Sequence, residues 1–145
     1  MNYTLQAATN ADFAFLYDLH VKAMRAAIEK TWGWDEDFQM AYFRQHFTTD
    51  NTDIFMVGNV PVGKLICERD PQRILLAEIE ILPEYQRKGL GTAIIQALID
   101  EAKASHKEVV LQVLKTNSDA RRLYERLGFE LYGETETHKL MRVAF

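Results

Sequence analysis

The stretch from Ile74 to Leu114 constrains the fold more than any other part of the chain. Ile74–Leu82 is a largely apolar run that reads as a strand and is closed by Pro83. Leu90, Ile94, Leu98 and Ala102 then repeat every four residues, with Ile95 and Ile99 beside them, which predicts an amphipathic helix over Leu90–Ala104. A second apolar run, Val109–Leu114, follows. Strand, helix and strand in that order make a β-α-β crossover, so the two strands are expected to run parallel.

The flanking segments fill in the rest. Tyr3–Ala7 reads as a first strand, and Thr9 or Asn10 as a helix cap with Asp12 in the first turn. Phe13, Leu16, Leu19, Ala23 and Ala27 recur at helical spacing until Thr31-Trp32-Gly33-Trp34 interrupts them. Asp35 restarts a short helix carrying Phe38, Tyr42 and Phe43. Ile54–Val57, the turn Gly58–Pro61 and Val62–Cys67 form a hairpin. Ser118–Leu127 is a helix capped by Asn117 and stopped by Gly128, and Phe129–Tyr132 and Leu140–Val143 are two last strands. The expectation is one domain, residues 1–145, of the α/β (α+β) class. It has a mixed sheet of roughly six or seven strands and about four helices.

Apolar residues make up 48% of the chain, enough for a core without disulfides or metal. The single cysteine, Cys67, is expected to be a buried strand residue. Charges of both signs are interspersed at a net −4, which lacks the footprint of a nucleic-acid binder and suits a cationic substrate. No basic stretch leads into an apolar one at the start, and no apolar run reaches ~20 residues. No membrane partner is therefore expected, and the cytoplasm is the expected location. The state is open between monomer and homodimer.

Pro83-Glu84-Tyr85-Gln86-Arg87-Lys88-Gly89-Leu90-Gly91-Thr92 joins the first crossover strand to its helix. Gly89 and Gly91 allow a tight bend and a close approach of backbone to ligand. The first helical turn offers unpaired N–H groups at the positive end of the dipole, and Arg87 and Lys88 add charge, so a pyrophosphate-bearing ligand is expected. The P-loop pattern fails at Gln86 and for want of a lysine between Gly91 and Thr92, and the dinucleotide fingerprint fails at Ile94.

The pattern that fits is Q/R-x-x-G-x-G/A, here Gln86-Arg87-Lys88-Gly89-Leu90-Gly91. A second block, Asn117 to Phe129, has Ala120, Tyr124 and Gly128-Phe129 at matching spacing. Together they resemble the two hallmarks of the GNAT superfamily of N-acyltransferases, over roughly residues 74–132. The resemblance implies acetyl transfer from acetyl-CoA to a primary amine of a small molecule by direct transfer. A protein lysine or N-terminal acetyltransferase and a non-catalytic acyl-CoA-binding module are the alternatives. It further implies a splayed parallel strand pair. Coenzyme A would lie on Gln86, Arg87, Lys88, Gly89, Leu90, Gly91 and Thr92, on the backbone of Ile79, Glu80 and Ile81, and on Asn117. Tyr124 would donate a proton to the departing thiolate.

An alkylammonium acceptor has a pKa near 10.4 and needs a base. Glu78 and Glu80 alternate with Ala77, Ile79 and Ile81 and should share one face, where burial can raise a carboxyl pKa. Either could be the base. The resemblance puts the acceptor pocket at the first two helices, where Trp32 and Trp34 stand beside Asp35, Glu36 and Asp37. Two tryptophans beside three acids suit a cation with an apolar body. His20, His46, His106 and His138 show no ligand spacing; they are expected to be surface or capping residues, and no metal is expected.

Overall fold

The computed structural model describes residues 2–145. The elements in order are β1 (Thr4–Ala7), α1 (Phe13–Trp32), α2 (Glu36–His46), β2 (Thr52–Val57), β3 (Val60–Arg69) and β4 (Arg73–Ile81). There follow α3 (Leu90–Ala104), β5 (Glu108–Leu114), α4 (Ser118–Arg126), β6 (Glu130–Glu134) and β7 (His138–Val143). Among the described residues, seven strands form one sheet in the order β1-β2-β3-β4-β5-β7-β6. No described helix is long and apolar enough to cross a membrane.

β4 and β5 pair in parallel, as the crossover requires, and the other neighbours are antiparallel. The parallel ladder runs only from Arg73↔Glu108 to Leu76↔Leu111, although β4 continues to Ile81 and β5 to Leu114. The two strands therefore part halfway along and leave a cleft between their C-terminal halves.

A bulge in β4 decides what faces that region. Leu76 pairs with Cys67 and Glu78 with Ile66, so Ala77 is an extra residue with no opposite number. Side chains alternate across a strand, and one inserted residue moves everything beyond it to the other face. Ile74 and Leu76 enter the core beneath α3 and α4, and past the bulge that role passes to Ile79 and Ile81. Glu78 and Glu80 are thereby turned toward α1 and α2. In register with the bulge-free pattern they would have entered the apolar core.

Each sheet face has its own packing. On one, Leu90, Ile94, Ile95, Leu98 and Ile99 of α3 cover Phe55, Leu76 and Leu111; each such burial contributes about 1.5–3 kcal/mol. On the other, Leu16 and Leu19 of α1 cover Ile54, with Phe43 and Phe47 at the edge. Cys67 is buried in its strand as expected, and burial pushes its thiol up to about 11, away from nucleophilic use. At Gly63 a Cβ would collide with Phe55 and lie 2.6 Å from the Glu80 carbonyl, so only glycine lets β2 and β4 close on that point.

Several strand ends shift by a residue or two, and two boundary changes have a local cause. α1 continues to Trp32 and ends on Gly33, at φ +83°, whose N–H bonds Glu29 O at 2.9 Å. β3 begins at Val60 and includes Pro61, which sits beside a register shift between Phe55 and Met56 where the ladder is already irregular.

Candidate active site

α1, α2, β3 and β4 enclose a cavity of about 870 Å³. Its walls are largely apolar: Leu16, Ile28, Trp34, Phe43, Phe47 and Ile66 line it, with Trp32, Phe38 and Tyr42 at its exposed rim. Asp35 also lines it, but its carboxylate is spent capping α2 through the Phe38 N–H at 2.8 Å. Glu36 is likewise engaged: it accepts from Trp34 Nε1 at 2.8 Å and from Tyr17 Oη at 3.3 Å. The Trp34 face is covered by the Arg25 guanidinium, 5.2 Å from the ring centroid. The cation-and-apolar-body site expected at Trp32, Trp34 and Asp35 is therefore mainly an apolar enclosure, and the open charge lies deeper.

That charge is on the sheet. Lys64 pairs opposite Glu80 across β3 and β4, and Glu78 stands two pairs along opposite Ile66. Lys64 Nζ lies 3.4 Å from Glu80 Oε1 and 3.4 Å from Glu78 Oε2, and 5.7 Å from the Phe43 ring centroid. Lys64 and Glu80 are 4% and 5% exposed, whereas Glu78 opens into the cavity with its side chain 47% exposed. Glu80 Oε2 meets His20 Nδ1 at 3.4 Å, and His20 Nε2 meets Gln39 Oε1 at 3.2 Å. Glu80 Oε1 has no hydrogen bond among the described residues. The 3.4 Å approach of Lys64 neutralises it by charge, without hydrogen-bond alignment.

The electrostatics overturn one expectation. Burial opposes ionisation of Glu80, but the His20 hydrogen bond and the Lys64 and His20 charges outweigh it and hold the carboxyl below its usual range. Burial likewise opposes charge on His20, and its bond to Glu80 outweighs that and raises the imidazole. Glu80 is thus a paired carboxylate of reduced basicity, not a carboxyl raised by burial. The reading of all four histidines as surface or capping residues also fails at His20, which is half-sealed between α1, α2 and β4. It holds at His46, which bonds Tyr42 O at 2.9 Å in the last turn of α2.

On the other side of the splayed strands, the loop after β4 takes the shape its glycines allow. Arg87 and Gly89 both have positive φ, at 60° and 86°, and α3 starts without a side-chain cap. The first-turn N–H groups at Leu90, Gly91 and Thr92 are left for an external acceptor. Gln86 ties the loop back, donating Nε2–H to Ile81 O at 2.8 Å. A Cβ on Gly91 would lie 3.3 Å from Leu123 Cδ2 and 3.6 Å from Ile81 Cδ1, so this glycine sets how closely α4 approaches α3. Arg87 makes an exposed ion pair with Asp119 at 3.4 Å, and Lys88 and Thr92 are exposed.

Asn117 caps α4, its Oδ1 accepting from Ala120 N at 3.3 Å. Tyr124 is 6% exposed, packed on Phe129 with ring centroids 5.7 Å apart, and its hydroxyl has no hydrogen-bond partner among the described residues. Burial raises its phenol to about 12. The structure therefore gathers the expected residues into two groups. The loop, Asn117 and Tyr124 accompany α3 and α4, and Glu78, Glu80, Trp32, Trp34 and Asp35 accompany α1 and α2. His20, Gln39 and Lys64 were missed. Lys64 stands alone inside an otherwise apolar strand, and a lone buried cation demands an anionic partner. His20 follows Leu16 by one helical turn, at the edge of the apolar stripe of α1.

A sheet whose parallel strands splay beside a capless helix N-terminus, with a second helix presenting a buried tyrosine, defines an acyl-CoA-dependent transferase. The family model described as Acetyltransferase (GNAT) family matches residues 13–129, and the chain belongs to that family. It is 30% identical over 138 residues to an uncharacterised N-acetyltransferase of Methanocaldococcus jannaschii. That match covers 88% of this chain and 61% of the relative, so the chain spans about three fifths of that protein's length. It is 29% identical over 143 residues to the spermine/spermidine N(1)-acetyltransferase of Bacillus subtilis, covering 94% of this chain and 93% of that one. Among solved structures it resembles the PaiA N-acetyltransferase of Thermoplasma acidophilum in complex with coenzyme A. The TM-score is 0.82 at 14% identity, over 100% of both chains, which is a likeness of fold.

Proposed function

We propose that this chain transfers an acetyl group from acetyl-CoA directly to the primary amine of a small molecule with an apolar body. The observation that carries the reading is the cavity of about 870 Å³, apolar in its walls and carrying Glu78 on the sheet at its base. An ammonium group is attracted to the Glu78 carboxylate while its hydrocarbon part is desolvated against Phe38, Tyr42 and Trp34. A spermine-like polycation is named for the Bacillus relative, but here Lys64, close behind Glu78, disfavours a second positive charge. Acceptors with one amine and an aromatic or branched aliphatic body fit better.

The residues then divide the work. The N–H groups of Leu90, Gly91 and Thr92, with Arg87 and Lys88, hold the pyrophosphate. The C-terminal half of β4, from Ile79 to Ile81, is paired with β3 but open on its β5 side, where it offers backbone groups to the pantetheine amides in the manner of an added strand, with Asn117 alongside. Tyr124 places its hydroxyl toward the leaving sulfur. A phenol at about 12 is a weaker acid than a thiol of ordinary pKa near 8.5. It therefore acts first as a hydrogen-bond donor to the developing thiolate, which needs little help to leave.

Thiol release from acetyl-CoA with a panel of arylalkylamines, branched alkylamines, polyamines and amino-terminal peptides tests this. Preference for apolar monoamines supports it. Turnover only with peptides would move the chain to the protein-acetylating reading, and binding without turnover to the acyl-CoA-binding one.

A further inference from the structure

Both partners of the His20 ring are acceptors. Nδ1 lies 3.4 Å from the Glu80 carboxylate and Nε2 lies 3.2 Å from Gln39 Oε1. A carboxylate and an amide oxygen can both be satisfied only if both ring nitrogens carry protons, so this arrangement fits the imidazolium. A half-turn of the Gln39 amide presents its NH2 to Nε2 instead, and the ring is then neutral with Nε2 as acceptor. The site thus has two satisfied states that differ by one proton, and Gln39 is exchangeable between them.

We propose that His20 is the base that takes the proton of the incoming ammonium group at Nε2, with Glu80 as the residue that positions its ring. This rests on the amine-acetylating reading above. In the step, an N–H bond of the ammonium breaks and the Nε2–H bond forms, directly or through one water. The electron pair stays on the amine nitrogen, which attacks the thioester carbonyl. The C–S bond then breaks with its pair on sulfur. The second N–H bond of the attacking nitrogen breaks and that proton ends on the sulfur through water or Tyr124, leaving neutral amide and thiol. The imidazolium returns its own proton to water after product leaves. Gln39 Oε1 accepts the new Nε2–H bond, which reproduces the arrangement seen.

The surroundings favour this over Glu80 as base. From β3 His20 meets Lys64, from β4 Glu80 with Glu78 beyond it, and from α2 Gln39 and the Phe43 ring at 5.5 Å. Tyr17 lies beside it on α1 with ring centroids 6.4 Å apart, and Asp35, Tyr42 and His46 line the same cavity from the α2 side. The inner cluster of Lys64, Glu78 and Glu80 carries one positive and two negative charges, so a proton on His20 brings it to neutrality. Glu80 is almost sealed and already paired, so it is poorly placed to meet a substrate, while His20 lines the cavity. The rise in the imidazole pKa agrees with that balance.

Two measurements test it. In the first, the His20 ring is titrated by NMR over about pH 5 to 9 in the wild type and in Glu80→Gln. The expected midpoint lies above the ordinary 6.5 in the wild type and falls in the variant. A midpoint unmoved by Glu80→Gln overturns the pairing. In the second, the pH dependence of kcat is recorded with the best amine for wild type, His20→Gln and Gln39→Glu. His20→Gln is expected to lower kcat about 100-fold or more with KM little changed, and to abolish the acid limb. Gln39→Glu, which adds an anion beside Nε2, moves that limb to higher pH. A His20→Gln enzyme within about twofold of wild type with its acid limb intact overturns the proposal. Should the wild type acetylate no amine, the functional reading fails, and the titration still decides whether His20 is the group Glu80 holds.

Discussion

Lys64 and Glu80 face each other on adjacent antiparallel strands, both almost sealed from solvent, with the ammonium 3.4 Å from a carboxylate oxygen that has no hydrogen bond. Removing one member of such a pair strands the other charge in a poorly hydrated place. Lys64→Met is therefore expected to destabilise the fold by ~3–5 kcal/mol. Adding Glu80→Gln to it should restore part of the loss, because the orphaned charge goes too. Urea unfolding of the two single variants and the double variant checks this, and strictly additive losses would contradict it.

The same cluster makes stability depend on pH in a stated direction. His20 is raised, so its contribution is complete below the ordinary 6.5 and is lost as pH climbs through the folded value. Glu80 is lowered, so its contribution is present above the ordinary 4.5 and is lost as pH falls through the folded value. The gap in melting temperature between wild type and His20→Gln should be widest between those two ordinary values and should narrow on the alkaline side. Differential scanning fluorimetry at stepped pH reads it directly; a gap that widens with rising pH would refute the sign.

Gly89 and Gly91 should fail differently. Gly89 has φ +86° and open space at its Cβ position, so Gly89→Ala costs about 1–2 kcal/mol of backbone strain and leaves the packing intact. Its weakened hold on acetyl-CoA should be visible by calorimetry on a protein that still folds. Gly91→Val pushes on Leu123 and Ile81 and should lose stability as well as affinity. Wild-type affinity in a folded Gly89→Ala protein would argue against the loop as a phosphate cradle.

Tyr124→Phe keeps the ring against Phe129 and removes only a hydroxyl without a hydrogen-bond partner among the described residues. Stability should hardly change. Turnover should fall by about 10- to 100-fold, the loss of one hydrogen bond to a developing charge, with acetyl-CoA affinity nearly constant. Turnover within about twofold of wild type would reduce Tyr124 to packing.

The parts legible in the sequence were those encoded locally. The helix Leu90–Ala104 repeats its apolar residues at one turn's spacing and forms with those bounds. Asn117 and Gly128 punctuate α4 where caps and stops belong. That Glu78 and Glu80 share a face also follows from alternation alone. Which face they share does not, because it turns on the extra residue Ala77, whose lack of a partner exists only once β3 is laid alongside. The meeting of His20 with Glu80 spans sixty positions and depends on how α1 crosses the sheet. Even so, Lys64 in an apolar strand was a visible demand for an anion, and reading it would have pointed to Glu80 and not toward the surface acids near Trp34.

The bulge at Ala77 also partitions the evolutionary freedom of β4. Upstream, Ile74 and Leu76 are committed to the interior under α3. Downstream, the even-numbered positions face α1 and α2 and the odd-numbered ones the interior, so polarity at 78, which opens into the cavity, can drift with acceptor choice while Glu80 stays tied to Lys64 and the hydrocarbon packing stays fixed. Deleting Ala77 would leave that allotment unchanged, because Glu78 would then follow Leu76 directly in a regular strand and still face the cavity, whereas deleting Ile79 would turn Glu80 into hydrocarbon. Loss of Ala77 should therefore remove the bulge and spare the fold, whereas loss of Ile79 should prevent folding.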